Sequence, residues 1–356
     1  MIVYADTPIC EWWLKKLKVS CIKKVLDDSV GLALFQLPYP LSNDEKFLEK
    51  LNITAKQCWQ VVVLVSELHK ETVEFIALHQ HPKIKYFICG VIPHFESYHL
   101  MDWFSTTLFF YKNNIEVLGK LVPYEIKPKT FDILLGRQKP HRSVVYNYIK
   151  QNQLYNKVIM TYLQGKDGGL LSEQTEIGYI WEDDIELLEG EYRWTVTPVR
   201  YHGQNMSLSQ IIPIKIYNQT AYTIVAETNY DNHYSFFTEK IVKPILAERL
   251  FLVFSGQNYL KHLRSFGFRT FDGIIDETYD SISNHDDRFK AIISQMDFLL
   301  SQPQELILKK IRPITEHNRQ IMLSTDWQGQ FLKELQDVLL FQPRKNLLDS
   351  SLLTRT

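Results

Sequence analysis

The sequence lacks any excess of charge of one sign. Its 40 lysines and arginines face 41 aspartates and glutamates, which leaves a formal net charge of -1. Such a balance gives no overall attraction to nucleic acid or to an anionic membrane, although a basic groove could still exist locally. The composition therefore does not indicate a protein whose whole surface binds a polyanion.

Cysteine is scarce, and long hydrophobic runs are absent. The four cysteines form neither a C-x-x-C pair nor a zinc-type spacing with histidine, so we expect reduced, mostly buried thiols. Apolar runs such as residues 61–65 are far too short to span a bilayer. The first residues lack the basic segment and apolar run of a signal peptide. We therefore expect a cytoplasmic protein without a transmembrane segment.

The chain does contain enough apolar material for two cores. It has 356 residues, 45% of them hydrophobic and 13% aromatic, which suits two domains. Strand and helix patterns alternate before a proline- and lysine-rich stretch at 119–129, which is typical of a connection between domains. We predict an α/β protein with domains at 1–125 and 126–325, then a C-terminal helix and tail at 326–356. The absence of G-x-G-x-x-G after the first candidate strand argues against a dehydrogenase.

Candidate general bases follow the strands of the first domain. Ligands of open α/β sheets bind beyond the carboxyl ends of the strands. A base that deprotonates a hydroxyl must be a carboxylate or histidine within hydrogen-bond reach. Glu67 and Asp102 are the predicted catalytic residues, and Glu96 and His94 are alternatives. For each of them a loop-capping role is the competing interpretation.

A dense cationic loop follows the first strand predicted in the second domain, at 131–135. Arg137, Lys139, His141 and Arg142 lie within six positions, before a helix predicted from residue 143. A strand, a glycine, cationic side chains and a helix start are typical of a diphosphate site. Arginine suits bidentate binding of an oxyanion better than lysine does. The alternative is a solvated basic turn.

A second helix start lies at Thr238, Glu239 and Lys240. Thr238 can accept a hydrogen bond from a free backbone N–H, and Glu239 then lies in the first turn. The helix start and Lys240 suit a phosphate, and Glu239 could accept hydrogen bonds from a ribose. Pro244 should end or kink this helix early. The alternative is an ordinary capped helix with a solvated Glu and Lys.

The residues Thr238-Glu239-Lys240-Ile241, with the later segment 252–256, resemble the nucleotide-sugar motif of the α1,3-fucosyltransferase family. The likeness covers about 25 residues. It implies the GT-B architecture of two Rossmann-like domains across a cleft, with a C-terminal helix crossing back to the first domain. It also implies that the Glu contacts the ribose and the Lys lies near the diphosphate.

The same resemblance extends the donor site to the strand and loop before the helix. The strand predicted at 221–228 ends with Glu227 near the nucleotide, and Tyr234 lies in the loop that follows. No cofactor and no essential metal are expected, because Glu182-Asp183-Asp184 lacks the Asp-x-Asp spacing of metal-dependent glycosyltransferases.

The segments 136–142, 266–271 and 275–280 resemble glycosyltransferases of tailed phages and marine microbes. This likeness implies a hydroxymethylated pyrimidine in DNA as acceptor, and the host cytoplasm as location if the protein is viral. A glycan hydroxyl is the acceptor that the fucosyltransferase likeness implies. We predict a metal-independent hexosyl- or pentosyltransferase that uses a nucleotide sugar. The alternative is a non-catalytic sugar- or nucleotide-binding protein on the same fold.

Overall fold

A computed structural model describes most of the chain. The described residues are 3–18, 21–22, 32–37, 45–95, 98–99, 105–164, 169–170, 184–188 and 198–340. Within them, no helix combines the length and the apolar character needed to cross a membrane.

The first part of the chain forms a parallel sheet of six strands in the order β2-β1-β3-β4-β5-β7. Its strands, with the short β6 that lies outside the sheet, are β1 (Val3–Ala5), β2 (Cys21–Ile22), β3 (Leu32–Gln36), β4 (Gln60–Val65), β5 (Ile84–Ile88), β6 (Gly90–Val91) and β7 (Tyr98–His99). The helices are α1 (Pro8–Lys16), α2 (Glu45–Gln57) and α3 (Lys70–Leu78). Every residue of β4 is buried, as expected for a parallel strand covered on both faces. We call this sheet and its helices the first unit.

Two short helices continue the chain, α4 (Ser105–Asn113) and α5 (Ile115–Leu118). Thr107 of α4 donates to the Gln210 carbonyl at 3.1 Å, and the Ile212 N–H donates to the Tyr111 hydroxyl at 2.8 Å. Helix α4 therefore packs against the second part of the chain, although the prediction places it in the first domain. The predicted domain boundaries stay a prediction.

The second part forms a sheet of five strands in the order β10-β9-β8-β14-β16, parallel except for β10. A separate antiparallel sheet contains β11, β12 and β13. The strands of this part are β8 (Lys129–Arg137), β9 (Val158–Gln164), β10 (Gly169–Leu170), β11 (Ile185–Leu187), β12 (Pro198–Tyr201), β13 (Gln204–Ser207), β14 (Thr220–Ala226), β15 (Ser235–Phe236) and β16 (Phe251–Phe254).

In the residues that the structure describes, seven α-helices accompany these strands. They are α6 (Pro140–Gln151), α7 (Ile214–Tyr217), α8 (Glu239–Leu246), α9 (Tyr259–Ser265), α10 (His285–Ser301), α11 (Gln304–Ser324) and α12 (Trp327–Leu340). We call the five-stranded sheet with α6–α11 the second unit. The two parallel sheets confirm the predicted α/β class with two Rossmann-like units.

The last helix, α12, contacts both units. The ring of Phe331 meets Phe87 of β5 edge-on at 5.6 Å, and Trp327 stacks on Phe268 of the second unit at 6.0 Å. The predicted return of a C-terminal helix to the first unit is therefore confirmed.

A buried ion pair joins three segments of the second unit. Arg249, which precedes β16, donates to Asp132 of β8 at 2.6 Å, and both side chains are almost fully buried. Arg249 also donates to the hydroxyl of Thr223 in β14 at 2.8 Å. A buried charge pair of this kind requires its hydrogen bonds to offset desolvation, and here the bonds cross from strand to strand.

Two helix boundaries differ from the sequence prediction. Helix α6 begins at Pro140 and not at residue 143, because proline at the first position has the backbone angle that a helix needs and lacks only an N–H that would be unpaired there. Helix α8 continues two residues past Pro244 and ends at Leu246. The proline therefore lies in the last turn of an eight-residue helix and does not end it early.

The two units also meet through a short antiparallel pair of strands, β6 and β15, in which Gly90 lies opposite Phe236. Gly90 has φ of 145°, and a Cβ at this position would lie 2.0 Å from the Ser235 carbonyl oxygen. Only glycine permits both the angle and the approach. The backbone that leads into α8 is thereby attached to the first unit.

Candidate functional site

A cleft of about 500 Å³ lies where the two units face each other. Residues 69–71, at the start of α3, line it from the first unit; Lys139, residues 228–234 and His285 line it from the second. Its volume is within the range of small-molecule sites. Each unit presents the carboxyl ends of its parallel strands here, which is where open α/β sheets bind ligands.

The loop at 228–234 is held in one conformation by side-chain to backbone bonds. Asn229 donates to the Tyr234 carbonyl at 2.9 Å and accepts from the Asp231 N–H at 2.8 Å. Ser255 donates to the Asn229 carbonyl at 3.0 Å. A Cβ on Gly256 would lie 2.0 Å from the Asp231 carbonyl, so the end of β16 can approach the loop only with glycine there. The wall of the cleft is thus preorganised.

Arg288 braces the same loop from α10, and sequence reasoning missed it. It is buried and donates to the carbonyls of Ser255 at 3.0 Å, Ile282 at 2.6 Å and Tyr230 at 3.3 Å. Burial lowers the pKa of its guanidinium to about 10. A single arginine in a helical pattern gave no signal, because two of its acceptors, the carbonyls of Ser255 and Tyr230, lie in distant segments.

Glu227 is fully buried at the end of β14. Its carboxylate accepts from the hydroxyls of Thr238 and Tyr259, each at 2.8 Å, and from the Thr228 N–H at 3.1 Å. Burial raises the pKa of this carboxyl, while Lys240 and the two hydroxyls act to lower it. Glu227 was predicted to bind the donor, and the structure places it behind the wall of the cleft, where it holds Thr238.

His141 and Arg142 also lie behind that wall, in the first turn of α6. Both are buried. The carbonyl of Glu227 accepts from His141 Nε2 at 2.8 Å and from Arg142 Nη2 at 3.2 Å. Burial lowers the pKa of His141 to about 3, so its imidazole is neutral with the proton on Nε2. These two predicted diphosphate ligands therefore brace the end of β14.

Lys139 does reach the cleft and lines it beside residue 228, whose carbonyl it contacts. Arg137 is the last residue of β8. Tyr234, predicted as a donor-site residue, lines the cleft and is largely buried. Of Lys139, His141 and Arg142, it is thus Lys139 whose side chain lines the cleft.

The start of α8 has the predicted capped geometry. Thr238 accepts from the Lys240 N–H at 3.3 Å. Lys240 Nζ donates to Glu239 at 2.8 Å and to the Thr228 hydroxyl at 3.3 Å. Thr228 lines the cleft, so the ammonium group of Lys240 lies one side chain away from it.

Glu239 and Lys240 remain about a quarter exposed. Burial acts to raise the pKa of Glu239, but the charges of Lys240 and Lys243 outweigh it and hold that pKa below its usual value. Glu239 is therefore ionised at neutral pH and forms an ion pair at the helix N-terminus, where a negative charge is also favoured by the helix dipole.

Glu67 does not line the cleft itself but lies beside His69, which does. The sequence analysis did not single out this histidine. Glu67 follows β4 and is half exposed, with Oε2 3.5 Å from His69 Nε2. His69 precedes α3, lines the cleft, and its ring lies 6.2 Å from that of Phe236 in the second unit. Its position four residues after β4 was the available signal. Asp102, the other predicted catalytic residue, lies outside the described residues, as does Glu96.

Across the described segments, no group of three or more His, Cys, Asp or Glu side chains is arranged to hold a metal ion. Metal independence itself stays a prediction.

Comparison with known proteins gives a distant likeness among solved structures only. No protein-family model and no curated protein matches the chain. A solved structure that matches is an alpha,alpha-trehalose-phosphate synthase (UDP-forming) from Burkholderia vietnamiensis, with 10% identity and a TM-score of 0.37. The match covers 95% of this chain and 71% of that one. At such values the likeness does not extend to activity.

Proposed function

We propose that the protein is a GT-B glycosyltransferase that moves a sugar from a nucleoside diphosphate to a hydroxyl acceptor. The observation that supports this most is the cleft. The first unit lines it with His69, whose imidazole lies 3.5 Å from the Glu67 carboxylate, and the second lines it with Lys139 and with Thr228, whose hydroxyl contacts Lys240 at the start of α8. The two halves of a transfer reaction, acceptor activation and leaving-group stabilisation, thus have separate groups on opposite walls.

On the donor side, Lys139 and Lys240 stabilise the charge that develops on the leaving diphosphate. Lys139 lines the cleft, and Lys240 lies behind Thr228 at the start of α8. Fixed positive groups aimed at developing charge are a large part of such catalysis, and no metal is then required. Glu239 accepts hydrogen bonds from the ribose. Glu227 holds Thr238 and so fixes the direction of the helix start.

On the acceptor side, His69 takes the proton of the acceptor hydroxyl and Glu67 stabilises the imidazolium that forms. The distance of 3.5 Å between them suits this ion pair. The acceptor oxygen forms a bond to the anomeric carbon of the donor, and the bond from that carbon to the diphosphate oxygen breaks. The proton stays on His69 until water removes it.

The acceptor is a glycan hydroxyl or the hydroxymethyl group of a pyrimidine in DNA. Parallel assays with oligosaccharides and with hydroxymethylated duplex DNA separate the two. Transfer to DNA should fall steeply with salt, because counterions are released on binding, whereas transfer to a neutral glycan should not.

The first test is ligand binding. UDP, GDP, CDP and ADP are screened by thermal shift with and without EDTA, since a ligand of the native state raises Tm. We expect one of them to raise Tm regardless of EDTA, and Lys139→Ala to weaken its binding. Lys150→Ala is the matched control, since this exposed lysine lies at the other end of α6. No shift with any nucleotide, or equal loss in both variants, would refute the donor site.

One observation favours the alternative of a non-catalytic nucleotide-sugar binder. His141 and Arg142 contact carbonyl oxygens, so fewer cations than predicted face a leaving group. Slow hydrolysis of the bound nucleotide sugar distinguishes the two functions. A transferase releases nucleoside diphosphate in the absence of acceptor. If this release stops in the His69→Gln variant, the hydrolysis takes place at this site.

A further inference from the structure

Tyr230 is the aromatic residue in the middle of the loop at 228–234. Its side chain is half-buried and lines the cleft, on the same wall as Lys139. His285, the first residue of α10, lines the cleft next to it, with ring centroids 5.9 Å apart at 89°. Two aromatic side chains, with their rings at right angles, thus adjoin the cationic Lys139 in the cleft.

The ring of Tyr230 packs against side chains of α6 and α10. It packs against His141 at 4.9 Å with planes tilted by 34°, and against Phe289 of α10 at 6.2 Å. Its carbonyl accepts from Arg288 at 3.3 Å. The ring therefore cannot turn away from the cleft without losing these contacts, and ligand binding would not need to order it first.

We propose that Tyr230 and His285 form the nucleobase-binding face of the cleft, with the base stacked on the Tyr230 ring. This inference rests on the proposed function and adds to it the position of the base and the residue that selects for a nucleotide over other phosphorylated ligands. The diphosphate then extends toward Lys139 and Thr228, and the sugar toward His69.

Stacking on an aromatic ring suits every base, because every base has a π-face. It is worth about 1–3 kcal/mol per base. A ligand with a diphosphate but no base gains nothing from this surface. The face consequently predicts that nucleoside diphosphates bind more tightly than inorganic pyrophosphate, and that the difference depends on the ring at position 230.

Three variants of the full-length protein test the inference. Tyr230→Phe keeps the ring, Tyr230→Leu keeps apolar volume against His141 and Phe289 without a π-face, and Lys139→Ala removes a cation. The affinities for the nucleoside diphosphate found in the thermal-shift screen and for pyrophosphate are measured by titration calorimetry, and folding is checked by circular dichroism.

We expect Tyr230→Phe to bind the nucleoside diphosphate within about twofold of the unmodified protein. Tyr230→Leu should bind it roughly 5- to 150-fold more weakly, which is the affinity equivalent of one lost stack. Pyrophosphate binding should not change in either, whereas Lys139→Ala should weaken both ligands.

Equal affinity of the Phe and Leu variants for the nucleoside diphosphate would overturn the stacking face and leave the proposed function intact. Loss of pyrophosphate binding in the Leu variant in proportion to the nucleotide would assign Tyr230 to loop structure and would overturn it as well. A protein that binds no nucleoside diphosphate at all would refute both proposals.

Discussion

Glu227 is a carboxylate that the fold keeps fully buried with hydrogen-bond donors on both oxygens. It meets the hydroxyls of Thr238 and Tyr259. Its two oxygens also accept from the backbone N–H groups of Thr228 at 3.1 Å and Thr238 at 3.4 Å, which can only donate, so an acceptor is required on both sides of the carboxyl group. A buried polar group left without its partner costs about 1–3 kcal/mol. The position therefore tolerates neither a donor nor an apolar side chain.

Glu227→Gln should lower the free energy of unfolding by about 1–3 kcal/mol, because one amide N–H would face another donor. Urea unfolding measures the change. The matched variant Tyr259→Phe removes one donor and leaves the carboxylate its other bonds, so it should cost less. A Gln variant as stable as the unmodified protein would show that the carboxyl is protonated in the fold.

His141 makes stability depend on pH. Burial, with the nearby charge of Arg142, lowers the pKa of His141 from 6.5 to about 3. Between these values the unfolded chain binds a proton that the folded protein does not. The stabilising contribution is complete above pH 6.5 and is lost as the pH falls toward 3, at ~1.4 kcal/mol per pH unit.

We expect urea midpoints between pH 6.5 and 4 to fall less steeply in His141→Gln than in the unmodified protein. The glutamine can still donate to the Glu227 carbonyl and does not titrate. The raised pKa of Glu227 acts in the opposite direction, but it is common to both proteins and cancels in the difference of slopes. Parallel curves would contradict a neutral buried imidazole.

At the scale of elements, α8 depends on its cap. Thr238 accepts from the Lys240 N–H and donates to Glu227. Thr238→Ala removes both bonds and should cost about 0.5–2 kcal/mol of stability, together with part of the affinity for a nucleoside diphosphate. Thr238→Ser keeps the hydroxyl and is the control. Thermal unfolding measures the stability, and nucleotide titration measures the affinity. An Ala variant equal to the Ser variant in both would show that the cap contributes to neither.

The elements that the sequence predicted well are those whose formation depends on residues close together in the chain. The buried strand β4 follows from an unbroken apolar run, and the start of α8 follows from the capping threonine. The start of α6 was placed too late, since the helix-initiating role of Pro140 was not weighed. Because of that error, the prediction placed His141 and Arg142 in an open loop before the helix.

The parts of the site that could not be predicted depend on contacts between distant segments. Arg288 was missed because two of its acceptors, the carbonyls of Ser255 and Tyr230, are far away in the chain. The role of His69 depends on the second unit, because its ring contacts Phe236 and it shares the cleft with Lys139. Local patterns carry no information on such pairs, so the site could be predicted only in the segments that the motif covers.

At the scale of the whole molecule, the two units are joined at the cleft by backbone. Strand β15 directly follows Tyr234 in the wall of the cleft and precedes Thr238 at the cap of α8, while its partner β6 follows β5 of the first sheet. A change in the relative position of the two units would therefore alter both the loop at 228–234 and the start of α8. The contact of α12 with Phe87 adds a second connection between the units.

Gly90→Ala tests this coupling, because a Cβ there would lie 2.0 Å from the Ser235 carbonyl oxygen and the two backbones would have to separate. We expect faster amide exchange at 90–91 and at 235–236, weaker binding of a nucleoside diphosphate, and a loss of about 1–3 kcal/mol in stability. Gly203→Ala is the control, since Gly203 also has a positive φ, of 77°, but a Cβ there would meet no atom within 4 Å. Both variants carry backbone strain, and only the first disturbs the junction. If both lower stability alike and neither changes nucleotide affinity, the pairing of β6 with β15 is a structural contact without influence on the site.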